Sequence, residues 1–261
     1  MIRKESYLKC PIMKKTTVQP GTKVAPERFY ITIETNGPYM VYGHPPLAQE
    51  FIIPNEEGAS WSFQKGTSYP TDKEPTALCR CGHSKNKPYC DGSHLKADWY
   101  PEMTAPEEPL LDAAEAFQGP EVSLTDNQSY CAFARFCDAK GRVWNLVGMD
   151  GKEARELTIR EANYCPAGRL SAWDNETQQP FEPHYDPSLA LIEDPAIHSS
   201  GPLWVRGGIP ISREDGYTYE VRNRVTLCRC GESGNKPFCD GTHASFKFKD
   251  GLPGLDARKK E

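Results

Sequence analysis

The composition of this 261-residue chain favours several small modules over one large core. Hydrophobic residues make up 38% of the chain, which also contains 23 prolines and 21 glycines, so we expect a loop-rich protein of two or three compact units. Its net charge of −5 argues against nucleic-acid binding. No apolar run approaches the roughly 20 residues of a membrane helix. The start, MIRKESYLKCPIMKK, lacks the apolar segment of a signal peptide, so we expect a soluble, cytoplasmic protein.

Composition and patterning divide the chain into five segments. We assign residues 1–27 to an N-terminal tail, 28–100 to a first module, 101–120 to a linker, 121–198 to a central domain, and 199–261 to a second module with its tail. Alternating apolar residues bounded by Gly and Pro turns predict short β-strands in the two modules. These strands are expected at 29–33, 39–41, 203–205 and 217–221. The Pro- and Glu-rich linker is expected to run into a short helix, so the fold class is α+β and loop-rich.

A sixteen-residue motif occurs twice. The first motif, Cys79–His94, is CRCGHSKNKPYCDGSH, and the second, Cys228–His243, is CRCGESGNKPFCDGTH, with every Cys and the closing His in register. The surroundings also repeat, since NGPYMVYGHPPL at 36–47 matches SGPLWVRGGIPI at 200–211. We infer that a whole domain is duplicated and that each copy holds one metal site.

Three thiols and one imidazole are the predicted ligands in each motif. They are Cys79, Cys81, Cys90 and His94 in the first motif, and Cys228, Cys230, Cys239 and His243 in the second. Two Cys separated by one residue can grip one iron from two sides. Cys90 and His94 reach the same face one turn apart if Asp91 caps a short helix there. Soft thiolates with one imidazole suit zinc as well as an iron–sulfur centre, so ligand type alone leaves both open.

The complete motif resembles the CDGSH (NEET) iron–sulfur family. The pattern C-x-C-x2-S-x3-P-x-C-D-G-[ST]-H is present twice and agrees with that family at every signature position. The resemblance implies a [2Fe-2S] cluster in each motif, held by three Cys and one His, and short strands arranged as a β-cap. Because family members are two-fold assemblies of one motif each, we expect the two copies to pair within this chain. The alternative is that each copy pairs with another chain.

Other residues of the motifs have predicted roles beside the cluster. These residues are Arg80, Gly82 and Lys87 in the first motif and Arg229, Gly231 and Lys236 in the second. The glycines let the backbone pass close to the sulfurs. The cations should raise the reduction potential, because a cluster becomes more negative when it is reduced. For the lysines, the alternative is a solvated basic rim.

A third cysteine set lies in the central domain. Cys131 and Cys137 form a C-x5-C pair, and Cys165 opens CPAGRL after an amphipathic stretch, 153–162, that predicts a helix. This pattern resembles the divergent mono-cluster ferredoxins. Three Cys suffice for a [3Fe-4S] cluster, or for a [4Fe-4S] cluster whose fourth iron binds Asp138, water or Cys10. The alternative is a set of ordinary buried thiols.

The ten cysteines of an intracellular chain favour metal binding over disulfides. The sequence contains neither a glycine-rich phosphate loop after a strand nor a G-x-S-x-G motif, so we predict a carrier and not an enzyme. The carrier would move electrons, or whole clusters, between redox or cluster-acceptor proteins. The alternatives are a zinc-binding structural module for protein interactions and the redox subunit of an oxidoreductase system.

Overall fold

The computed structural model describes residues 16–256. Its strands are β1 (Tyr30–Ile33), β2 (Tyr39–Tyr42), β3 (Leu47–Pro54), β4 (Ser60–Tyr69), β5 (Thr76–Leu78), β6 (Glu115–Gln118), β7 (Val122–Asp126), β8 (Leu170–Asp174), β9 (Ser188–Asp194), β10 (Ser199–Arg206), β11 (Ile211–Arg213) and β12 (Arg224–Leu227). The α-helices are α1 (Val143–Leu146), α2 (Lys152–Asn163) and α3 (Thr242–Ser245). Short 3-10 helices span Ser93–Leu95, Leu110–Ala113, Gln128–Tyr130, Phe136–Asp138 and Pro195–Ile197. The predicted α+β, loop-rich class is confirmed.

Two sheets each combine strands from both halves of the chain. Their strand orders are β11-β1-β2-β5 and β12-β10-β9-β3-β4. Strand β1 runs parallel to β11, with Ile31 opposite Ile211, and β3 runs parallel to β9, with Leu47 opposite Leu189. Each half therefore covers a strand edge that the other half would leave unpaired.

The apolar faces of these two shared sheets form one core. In β1 the second and fourth residues are buried, and in β2 the first and third are, as expected for strands with one face turned inward. Burial of each Leu or Ile contributes about 1.5–3 kcal/mol. The core includes Ile31, Ile33, Tyr39, Leu47, Leu189, Leu203, Val225 and Leu227.

A third sheet and α2 build the central part of the chain. The sheet has the order β6-β7-β8. Helix α2 matches the amphipathic stretch predicted at 153–162 and buries Ala154, Thr158 and Ala162 on one face. Ala162 packs with Leu124 and Leu170 in an apolar cluster that also contains Cys165. The helix and sheet thus fix the position of the last central cysteine.

The prediction of a strand at 217–221 is wrong. The chain turns back after β11, because the Asp215 carboxylate accepts a hydrogen bond from the Tyr217 N–H at 2.9 Å. The Tyr219 N–H then donates to the Ile211 carbonyl at 3.0 Å. The segment forms only isolated bridges, Ser212 with Thr218 and Val18 with Val221, and no continuous ladder.

Several of the assigned segments contain unexpected elements or contact residues of other segments. The linker contains the helical turn Leu110–Ala113 and also β6, whose mostly exposed side chains gave no apolar pattern. Strand β9 lies before residue 199 but pairs with β10. Part of the assigned tail is held to the second module, since the Gln19 N–H donates to the Val221 carbonyl at 3.0 Å.

Two further predictions concern the ends of the chain and the membrane. Cys10 lies outside the described residues. No helix within residues 16–256 has the length and apolarity needed to cross a membrane.

Candidate metal centres

The first motif holds its predicted ligands as two close pairs. The Cys79 Sγ lies 3.8 Å from the Cys81 Sγ, and the Cys90 Sγ lies 3.4 Å from the His94 Nδ1. The Asp91 carboxylate accepts hydrogen bonds from the N–H of Ser93, which begins the 3-10 helix, and from the N–H of Lys85. This carboxylate therefore ties the loop before Cys90 to the turn that carries His94.

The second motif repeats this geometry. The Cys228 and Cys230 sulfurs are 3.6 Å apart, and the Cys239 Sγ lies 3.4 Å from the His243 Nδ1. The Asp240 carboxylate accepts from the N–H groups of Thr242 and Gly234, as Asp91 does in the first motif. The repeat in the sequence is therefore also a repeat in structure.

The surroundings of these donors favour metal binding. The hydrogen bond from Cys81 lowers the pKa of Cys79 to about 6, and Cys230 does the same for Cys228. Burial, with a smaller effect from Arg229, lowers the pKa of His243 to about 4, which keeps its lone pair free for a metal. One thiol of each Cys-x-Cys pair is thus ready to become a thiolate. Burial raises the pKa of Cys90 and Cys239, the thiols next to the histidines.

The pairing also bears on how many metal ions a site would hold. Among residues 16–256, no three His, Cys, Asp or Glu converge on the position of a single ion. The donors instead form one S–S and one S–N pair in each motif. A two-iron cluster takes two protein ligands on each iron, so the residues fit such a group.

The three central cysteines line one small cavity. Cys131, Cys137 and Cys165 face it together with Arg169, and Arg169 donates to the Asp126 carboxylate at 2.7 Å. Burial raises the pKa of Cys131, and it raises the pKa of Cys137 to about 12. Three soft donors beside a buried cation suit an anionic metal–sulfur group.

Asp138, one of the proposed fourth ligands, does not lie with the three cysteines. Asp138 does not line it within the part of the chain that the structure describes. Its carboxylate lies 3.5 Å from the Arg142 Nε in an exposed i,i+4 pair. Nothing in the geometry therefore assigns Asp138 to the cysteine set.

Comparison with family models locates the same three regions. The model described as "Iron-binding zinc finger CDGSH type" matches residues 36–95 and 200–244, and the one described as "Divergent 4Fe-4S mono-cluster" matches residues 117–175. Two CDGSH regions flank a mono-cluster region. The resemblances seen in the sequence are thus confirmed, and the chain is an iron–sulfur-binding protein. No curated protein and no solved structure matches the chain.

The eleven predicted ligands all fall inside the matched regions. The first CDGSH region contains its set of four, the second contains the corresponding four, and the mono-cluster region contains the three central cysteines. We call these sets the first CDGSH site, the second CDGSH site and the central site.

The two CDGSH sites lie against each other. Gly82 and Gly231 have φ of +80° and +89°. A Cβ on Gly82 would overlap the Cys230 carbonyl oxygen, and one on Gly231 would overlap the Cys81 carbonyl oxygen. The sites therefore approach through reciprocal glycine contacts that no other residue type permits.

A close approach also joins the second CDGSH site to the central site. Gly241 has φ of +88°, and a Cβ there would lie 2.9 Å from the Cys131 carbonyl oxygen. The Asn235 Nδ2 donates to the Ser129 carbonyl at 2.9 Å. Cys239 belongs to the same apolar cluster as Cys165.

All four predicted ligands of the second CDGSH site are buried, whereas two of the four at the first site are half-buried. The linker lies on the second, since the Thr104 hydroxyl donates to the Gly234 carbonyl at 2.8 Å and accepts from the Lys236 N–H at 2.9 Å. His243 is 3% exposed. At the first CDGSH site His94 is half-buried, and the following Leu95 is 78% exposed.

The cations of the motifs do not form a solvated rim. Arg80, Arg229 and Lys236 are buried, and Lys87 is half-buried. Each lysine donates to a carbonyl of its own loop, at Ser84 in the first motif and at Ser233 in the second. The lysine amines therefore close the loops that carry the sulfurs.

The contacts of Arg229 include two residues that the sequence did not single out. Its guanidinium binds the buried carboxylates of Glu193 and Asp250. Neither residue lies in the repeated motif, and both belong to segments in which polar and apolar residues are mixed. No pattern in the sequence marks them.

Replacing Gly82 with Ala should disrupt the contact between the CDGSH sites. The new Cβ would meet the Cys230 backbone in a conformation with positive φ, and we expect a loss of unfolding free energy of about 3 kcal/mol or more. Gly58→Ala is the matched control, because Gly58 has φ of +82° with nothing within 4 Å of an added Cβ. Urea unfolding of both holo variants measures the difference. Equal destabilisation would contradict a close approach at Gly82.

Proposed function

We propose that this protein is an iron–sulfur electron carrier. Each CDGSH site would hold a [2Fe-2S] cluster, and the central site a [3Fe-4S] or [4Fe-4S] cluster; such clusters supply one-electron redox chemistry when bound. The observation that carries the proposal is the continuous contact from the central site through the second CDGSH site to the first. A carrier needs donor sets this close in one packed body, whereas a protein that uses metal only to stabilise its modules does not.

The residues around the sites support this role. The buried arginines donate to backbone carbonyls beside the ligand loops, as the Arg80 Nε does to Gly37 at 2.9 Å and the Arg229 Nε does to Gly201 at 2.7 Å. Both guanidinium groups are therefore fixed in position next to their cysteines. Fixed charges need little rearrangement when the charge of a neighbouring group changes, which favours rapid electron exchange.

The first CDGSH site is the one we expect a partner protein to reach. Its His94 side chain is half-buried and Leu95 is exposed, whereas linker and central residues cover the second site. The same exposure favours a second candidate function, the donation of a whole cluster to an acceptor protein. Both functions place exchange at the first CDGSH site.

Metal analysis with spectroscopy tests the proposal against structural zinc. Protein purified without oxygen is expected to be red to brown, to contain iron and acid-labile sulfide, and to give EPR signals on reduction. A colourless protein with stoichiometric zinc after expression in iron-replete cells would refute it. Reconstituted protein that contains clusters but exchanges neither electrons nor clusters with any acceptor would refute the carrier role alone.

We also propose that the two CDGSH sites pair within one chain. The shared sheets, with β1 on β11 and β3 on β9, support this. Light scattering of the holo protein is expected to give the mass of one chain, about 29.3 kDa. A dimer that places the first CDGSH site against the first CDGSH site of a second chain would contradict it.

A further inference from the structure

The two CDGSH sites have corresponding arginines with different partners. Arg80 and Arg229 both donate through Nε to a glycine carbonyl, Gly37 and Gly201, which occupy equivalent positions of the repeat. This shared bond places both guanidinium groups at the same point beside their cysteines. Any difference in their other partners is therefore a difference between the sites.

Arg80 binds neutral groups. Its remaining nitrogens donate to the carbonyls of Glu34, Thr35 and Pro101 at 2.8–3.1 Å. Its guanidinium also lies 4.7 Å from the centre of the Trp99 ring. No carboxylate contacts Arg80 within residues 16–256. The first CDGSH site therefore keeps one buried positive charge.

Arg229 binds two carboxylates. One terminal nitrogen donates to Glu193 Oε1 at 2.7 Å and the other to Asp250 Oδ2. The side chains of Glu193 and Asp250 are 0% and 1% exposed, so water does not screen them. Two buried anions thus accompany one cation at the second CDGSH site.

The Arg229 group is less positive than Arg80 whether Glu193 is ionised or protonated. Burial raises the pKa of Glu193 to about 8, so at neutral pH its carboxyl is mostly protonated. With both carboxyls ionised the group carries one net negative charge, and with Glu193 protonated it is neutral. In both cases it is less positive than the unpaired Arg80. The deeper burial of the second site acts in the same direction, because less water is available to stabilise added negative charge.

We propose that Glu193 and Asp250 make the second CDGSH site the lower-potential site of the two. The inference rests on the proposed function, since it requires both sites to hold redox-active clusters. Its consequence is an internal order: at equilibrium an electron shared by the two CDGSH sites resides at the first, which faces solvent. Glu193 and Asp250 act as positioning residues that set this order through Arg229 without touching the ligands.

A redox titration of the holo protein, followed by visible absorbance and EPR, tests the proposal. We expect two resolved CDGSH midpoints in the wild type. A thiolate in place of the imidazole lowers the potential of its own site, so His94→Cys should lower the upper midpoint and His243→Cys the lower one. These two variants assign each midpoint to a site.

The decisive variants are Glu193→Gln and Asp250→Asn, titrated at pH 9, above the raised pKa of Glu193, where both substitutions remove charge and keep shape. Each should shift the lower midpoint upward by more than the upper one, because Arg229 lies between Cys228 and Cys230 in the chain but also lines a small cavity with Cys79. Glu50→Gln is the matched control: Glu50 is also buried in a strand of this sheet, but its carboxylate binds Arg206 at 3.2 Å. Strand β3 places Phe51 opposite Glu193, so the preceding Glu50 side chain points to the other face. Glu50→Gln should move neither midpoint.

Each outcome of the titration has a separate meaning. Coincident wild-type midpoints, or an upper midpoint assigned to the second site, overturn the inference even if the variants lose their clusters. The inference is also overturned if the Glu193→Gln and Asp250→Asn proteins retain full iron and either leave the lower midpoint unchanged or move both midpoints equally. In each of these cases two reversible CDGSH centres leave the proposed function intact. Absence of any reversible centre would instead remove the proposed function.

Discussion

Replacing Cys137 with Ser is expected to lower the iron content from seven or eight atoms per chain to about four. The larger number is the sum of two [2Fe-2S] centres and a [3Fe-4S] or [4Fe-4S] centre, and the smaller is the two CDGSH centres alone. Cys137 suits this test because it is half-buried, as Cys131 is, whereas Cys165 is buried within an apolar cluster. Iron and sulfide analysis after anaerobic reconstitution measures the change.

A matched variant at a CDGSH site separates loss of one cluster from general instability. Cys90→Ser, also at a half-buried thiol, should remove about two iron atoms and leave the central share in place. EPR spectra of reduced protein then show which signal each variant lacks. Wild-type protein that stops at about four iron atoms under the same reconstitution would show that the central cysteines are ordinary thiols.

The closeness of the predicted ligands within each pair could be foreseen, because it depends on short-range geometry. Cys79 and Cys81 are two residues apart, and Cys90 and His94 are four apart, so their spacing in the sequence nearly fixes their spacing in space. The same holds for helix α2, whose apolar periodicity is local. The repeat in the sequence then extended each local prediction to a second copy.

The sequence was less informative where long-range contacts decide the structure. Residues 217–221 alternate as a strand does, yet they follow the turn after β11 and form only isolated bridges, with hydrogen bonds to the Asp215 carboxylate and the Ile211 carbonyl. Glu193 and Asp250 meet Arg229 from positions 36 and 21 residues away in the chain. Covering of the second CDGSH site by linker and central residues likewise depends on packing between segments, which periodicity does not encode.

These long-range contacts make two similar motifs unequal. The motifs share their internal hydrogen bonds almost one for one, so a difference in behaviour has to come from what surrounds them. Around the first lie solvent and carbonyl oxygens, and around the second lie Thr104, Ser129, Cys131 and two buried carboxylates. The two motifs thus have similar internal geometry, and residues of the linker, of the central region and of the segments around Glu193 and Asp250 make their surroundings different.

Mild acid is expected to release the first CDGSH cluster before the second. A proton competes with iron for the imidazole nitrogen, so coordination stabilises the site fully above the ordinary imidazole pKa of about 6.5 and weakens as pH falls. Burial already lowers the pKa of His243 to about 4. A histidine with a lowered pKa keeps its contribution above 6.5 and loses it only as pH falls towards 4. The contribution of His243 should therefore persist under conditions in which the half-buried His94 is accessible to protons.

Visible absorbance at pH 5.5 to 6 should accordingly decay in two phases. A thiolate binds iron more tightly than an imidazole does, so His94→Cys should abolish the fast phase, and His243→Cys should slow only the slow phase. The variant with both changes should retain its clusters longest, by roughly tenfold or more, and have lower reduction potentials at both CDGSH sites because each new thiolate adds negative charge. Identical decay in the wild type and in the double variant would mean that neither imidazole is the labile ligand. A single phase in the wild type that His94→Cys and His243→Cys slow equally would mean instead that the linker and central residues do not protect the second site.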